Sequence, residues 1–165
     1  MNAYGVSGWE NFLIAEVGAA AALSGLVFVA VSINLAKILA APNLPRRAGQ
    51  AIAMLMAVLL AATLLLVPGQ TPTVDGWELL AVGLSALALP TVMQLIRLWG
   101  RGEKVAGRVI ANGLISQLPT LPFVIAGLSL LARAGGGMYW LVPAVVFSLS
   151  AGTLYGWVLL VEILR

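Results

Sequence analysis

The chain has 165 residues, 61% of them hydrophobic and 9% charged, with a formal net charge of +3. It contains no cysteine and no histidine, which excludes disulfides, thiolate nucleophiles and metal sites, histidine-ligated haem, and all imidazole-based catalysis. A crossing of the bilayer takes about 20 apolar residues, and such runs use nearly the whole chain, so it reads as an all-α, polytopic membrane helix bundle forming one domain, 1–165.

Five helices are predicted, at about 9–41, 46–67, 76–99, 105–132 and 138–164. In the first, a turn of about 100° per residue puts Glu16, Ala20, Val27 and Asn34 on one face. Gly18, Ala21, Gly25, Ser32 and Ala36 fall on the opposite face. Polar side chains avoid hydrocarbon and small ones let backbones approach, which places this helix in the middle of the bundle. No Lys or Arg precedes its apolar run, and the run is too long for a signal h-region, so a retained span is predicted.

Pro42-Asn43-Leu44-Pro45 ends the first helix. The second has Thr63 as the only polar residue inside its apolar run and is predicted to face lipid. After Pro68-Gly69-Gln70-Thr71-Pro72, the third carries a stripe of Gly83, Ala86, Pro90, Gln94 and Arg97. Gly100-Arg101-Gly102 leads into the fourth, with Arg108, Asn112, Ser116 and Pro119, and Gly135-Gly136-Gly137 into the fifth, with Ser148, Gly152, Tyr155 and Glu162. These stripes are expected to face inwards or towards another subunit.

Lys37, Arg46, Arg47, Arg97, Arg101, Lys104, Arg108 and Arg165 lie on one side of this arrangement and only Arg133 on the other. The positive-inside rule then puts the N-terminus outside and the C-terminus in the cytoplasm, as a multi-pass protein of the inner (plasma) membrane. Glu10, Glu16, Asp75 and Glu78 lie towards the outside, where Trp9, Trp77 and Trp140 are expected to form an interfacial belt.

With this topology Asn34, Lys37, Gln94, Arg97, Arg108, Asn112, Tyr155 and Glu162 share the cytoplasmic half, with three positive charges and one negative. They suggest a basic vestibule favouring anions; alternatively, the bases snorkel to headgroups and Glu162 pairs with one of them. Glu16 is either an interfacial acid or a carboxylate buried two turns below Trp9, serving as an outer proton or cation site. In Ser116-Gln117-Leu118-Pro119-Thr120-Leu121-Pro122 two prolines remove backbone donors. The freed carbonyls form either a constriction or an ordinary packed kink, with Gln117 placed to help a neighbouring helix satisfy them.

The loop Trp99-Gly100-Arg101-Gly102-Glu103-Lys104 is explained by anionic lipid, and nucleic acid is not an expected partner. No phosphate loop, catalytic carboxylate pair or Gly-x-Gly-Asp protease motif is present, so neither an enzyme nor a cofactor is expected.

Trp9-Glu10-Asn11-Phe12, the stretch from Val17 to Leu35, Leu44-Pro45-Arg46-Arg47-Ala48 and Leu66-Val67-Pro68-Gly69-Gln70 resemble the start of a family of small bacterial membrane proteins, some labelled modulators of the FtsH membrane protease. The resemblance covers roughly the first 70 residues and implies an adaptor without catalytic motif or assigned site residues.

Two function classes follow. The chain is either a homo-oligomeric channel or small-solute pathway lined by the vestibule residues with Ser116 and Gln117, or an accessory subunit of a larger membrane complex. In both, Gly18, Ala21, Gly25 and Ser32 form the helix-packing face.

Overall fold

The computed structural model describes residues 3–41, 44–98 and 117–164, and for residues 89, 90, 93–98 and 162–164 the backbone alone. The described residues form helices without strands: α1 (Glu10–Ile33), α2 (Leu35–Ala40), α3 (Leu44–Leu65), α4 (Pro72–Leu98), α5 (Leu121–Ala132) and α6 (Leu141–Leu164). Short 3₁₀ turns at Leu118–Thr120 and Gly137–Trp140 lead into α5 and α6. Among these residues Glu10–Ile33, Leu44–Leu65 and Gly137–Val161 are long and apolar enough to cross a membrane, while the apolar helix at Leu118–Ala132 is shorter.

Two expectations about position are reversed. The plain helix α3 is the centre of the bundle and packs against α1, α4 and α6. In its apolar stretch 56% of residues are buried, against 17% in α1. Lipid tails are as apolar as leucine, so hydropathy cannot tell a lipid-facing helix from a central one. Small side chains decide instead: Ala48, Ala51, Ala57, Ala61 and Ala62 are all buried on α3 and let three neighbours come close. Thr63, by contrast, is exposed.

The helix α1 stands at the edge. Its inward face is Leu13, Ala20, Ser24 and Val27, with Glu16 half-buried beside them, so the predicted polar face does meet the bundle. Its small-residue face meets nothing among the described residues, where Gly18, Ala21, Gly25 and Ser32 are all exposed. The expected single helix over 9–41 is also interrupted at Asn34, whose side-chain N–H donates to the Ala30 carbonyl at 3.0 Å. Ser32 Oγ donates likewise to Phe28 at 2.8 Å. Such local bonds compete with the helical ladder and favour a bend.

Glycines seat the other helix pairs. Between α4 and α5, a Cβ at Gly127 would stand 2.7 Å from the Leu80 nitrogen, and one at Gly83 would stand 2.8 Å from the Val124 nitrogen. Between α6 and its neighbours, Gly152 faces Leu55 and Gly156 faces Val27. The inward stripe expected on the last helix is present in Ser148, which is fully buried, and in Gly152.

Candidate functional site

The chain closes over one end of the bundle. Gly135, Gly136 and Gly137 all take positive φ, a conformation glycine adopts without steric cost. The resulting turn presents the Met138 N–H to the carbonyl of Ala3, at 2.7 Å. That bond docks residues 3–9 as an arm across the end of the bundle. Trp9 follows it inward and packs edge-on against Tyr139 and Phe12, at 5.1 and 5.8 Å between ring centroids. Trp9 is therefore a core residue and not the belt residue expected; Trp77, 60% exposed, suits a belt. Trp140 is half-buried and donates its indole N–H to the Gly135 carbonyl at 2.7 Å.

Between this arm and the α3–α4 connection lies an open cleft of about 370 Å³. Gly5, Val6, Ser7 and Glu10 form one wall; Leu65 to Gln70, Pro72 and Asp75 form the other. Thr71 accepts the Asp75 N–H on its carbonyl at 3.1 Å and so starts α4 immediately beneath the cleft. Asp75 is 3% exposed, and its Oδ1 has no hydrogen-bond partner among the described residues. Gln70 donates its side-chain N–H to Glu78 Oε1 at 2.9 Å. This leaves Gln70 Oε1 and Glu78 Oε2 buried without donors among the described residues. Glu10 is exposed, and its Oε2 accepts the Gly8 N–H at 2.7 Å.

Glu16 lies inward on α1, half-buried, with Oε2 buried and without a partner among the described residues; it does not line the cleft. Asp75 and Glu78 stand out in sequence as acids, but Gln70 reads in sequence as turn punctuation. Its place beside them comes from the fold.

The vestibule residues fare differently. Arg108, Asn112 and Ser116 lie outside the described residues, as do Arg101 and Lys104, and the side chains of Gln94, Arg97 and Glu162 are not described. Asn34 bonds its own helix, Lys37 is exposed on α2, and Tyr155 is half-buried against the cluster of Val27, Ala51 and Leu55. Gln117 donates to Thr91 Oγ1 on α4 at 2.7 Å.

At the predicted break Gln117 is still helical, a 3₁₀ turn follows it, and α5 begins at Leu121. Pro119 sits in the 3₁₀ turn and Pro122 in the first turn of α5, where a missing N–H forfeits no helical bond. The Pro119 carbonyl accepts from Ser148 Oγ on α6 at 3.2 Å, and that of Gln117 accepts from Thr120 Oγ1 at 2.8 Å. Neither is a carbonyl that the two prolines free; those are Leu118 and Ile115, the latter outside the described residues.

Among the described residues no group of three or more acidic side chains is arranged to hold a metal ion. The chain matches no family model, no curated protein and no solved structure.

Proposed function

We propose that this chain is a non-enzymatic, multi-pass protein of the bacterial inner membrane, crossing five times with its N-terminus outside, and that it works as a self-associating accessory subunit. The bare face of α1 carries this reading. Gly76, Gly83, Gly127, Gly152 and Gly156 each face close atoms of a neighbouring helix, whereas no atom of the described residues lies within 4 Å of a Cβ placed at Gly18 or Gly25. Gly18 and Ala22, and Ala21 and Gly25, are each spaced four apart on this exposed side. Pairs of small residues so spaced let two helix backbones approach in lipid. A stripe of this kind is self-complementary about a two-fold axis, so the occupant proposed is α1 of a second copy.

An interface on this face is dry. Its hydroxyl, Ser32, is already bonded to Phe28, and the polar side of α1 points into its own bundle. That favours the accessory role over a water-filled pathway at the interface. The resemblance of the first 70 residues to modulators of a membrane protease supports the same class.

The chain has no cysteine of its own, so single cysteines test the face directly in native membranes. Oxidation of Ala21→Cys is expected to give a covalent dimer of this chain, and Ala20→Cys, which is buried, to give none. If Ala21→Cys stays monomeric, or joins a larger protein in stoichiometric yield, the second-copy reading is wrong.

A further inference from the structure

The cleft under the N-terminal arm has an unmet chemical requirement. Asp75 is buried and lines it with an unpartnered Oδ1. Gln70, on the same wall, directs its amide N–H to Glu78, so its own carbonyl oxygen lacks a donor, as does the second oxygen of Glu78. Three acceptor oxygens within the segment 70–78 therefore lack donors among the described residues. Buried polar atoms are nearly always paired, and an unpaired buried carboxylate oxygen is costly. Arg133, the basic side chain on this end of the bundle among the described residues, does not line the cleft.

The missing partner is a donor with positive charge. At about 370 Å³ the cleft exceeds what one metal ion fills, and no three acidic side chains among the described residues are grouped to ligate one. An alkylammonium group supplies three N–H donors and a compensating charge. Val6, Leu65, Leu66, Val67 and Pro72 offer an apolar wall for the body that carries it. From these observations we infer that the cleft is a binding site for a small organic cation, a primary ammonium on an apolar body, with the charge at Asp75 and Gln70 and Glu10 at the rim. This inference is independent of the self-association of α1.

The test uses the full chain in lipid nanodiscs at neutral pH, titrated with phenethylammonium by calorimetry and corrected with empty nanodiscs. Saturable binding is expected. Phenyltrimethylammonium, which has the charge but no N–H, and 2-phenylethanol, which lacks the charge, are each expected to bind about tenfold more weakly or worse. Asp75→Asn is expected to reduce affinity by about the same factor, and Gln70→Leu to reduce it less. Without ligand, Asp75→Asn is expected to melt no lower than the wild-type chain, because it removes a buried charge.

The inference is overturned if the wild-type chain shows no saturable binding, or if the trimethyl compound or the alcohol binds as well. It is equally overturned if calcium binds more tightly than phenethylammonium, or if Asp75→Asn folds and binds unchanged. Should that variant fail to fold, the comparison of probes on the wild-type chain decides.

Discussion

The contact between α4 and α5 gives a stability prediction that one methyl group can test. A Cβ at Gly127 would lie 2.7 Å from the Leu80 nitrogen, 2.8 Å from the Gly76 carbonyl oxygen and 3.0 Å from the Leu80 Cα. Ordinary contact begins at 3.4 Å, so the closest pair is short by 3.4 − 2.7 = 0.7 Å. All three atoms are backbone, and no rotamer change relieves them; the helices must move apart. That motion also disturbs Gly83 against Val124 and Gly76 against Leu131, on either side of the crossing. Overpacking typically costs about 1–3 kcal/mol. Alanine in a helix returns up to about 1 kcal/mol relative to glycine, which obscures the cost in a single variant.

Gly49→Ala removes that ambiguity. Gly49 is helical and exposed, with no atom within 4 Å of the added Cβ, so both variants share the propensity gain and their difference isolates the packing term. Three backbone contacts put that difference near the upper end, at about 3 kcal/mol in favour of Gly49→Ala. Reversible unfolding in mixed detergent micelles measures it. Equal midpoints for the two variants would refute the close crossing of α4 and α5.

Gly137→Ala is expected to detach the N-terminal arm, because position 137 has φ +55° and its added Cβ would strike the Ala3 carbonyl; faster hydrogen exchange at the Met138 N–H and across residues 3–9 checks this. Ser148→Ala removes the donor to the Pro119 carbonyl and is expected to cost about 0.5–1.5 kcal/mol, with an unchanged unfolding midpoint showing that this carbonyl is served otherwise.

Much of the helical layout was readable because its signals are local. Pro68-Gly69 and the three glycines at 135–137 fall where helices end, and Glu16, Ala20 and Val27 do share the inward side of α1. The order of the helices within the bundle was not readable. In water an amphipathic stripe marks the buried side, but in a bilayer both surroundings are apolar, and α3 looked like a lipid-facing helix for that reason. Its buried alanines were the better signal. The Asn34 interruption was missed because a side chain bonding its own helix looks, by period alone, like one pointing at a neighbour. The cleft was half legible: Asp75 and Glu78 stood out as acids, but their opposite wall comes from residues 5–10, some 60 positions earlier in the chain, beyond any periodicity.

That separation explains why the glycine turn at 135–137 bears on the cleft without lining it. The Met138 N–H reaches the Ala3 carbonyl only from a turn that passes through left-handed backbone, and the same bond fixes the arm that supplies Gly5, Val6, Ser7 and Glu10. Trp9, wedged against Tyr139, holds the other end of the arm. One wall of the cleft is thus positioned by the start of α6 and the other by the start of α4, two elements that meet through α3 and α5. A side chain that strains residue 137 therefore weakens ammonium binding by loosening a wall, whereas loss of Asp75 weakens it by removing the charge. The two losses differ in a measurable way: a wild-type chain and a Gly137→Ala variant should retain the same preference for phenethylammonium over phenyltrimethylammonium, and Asp75→Asn should lose it.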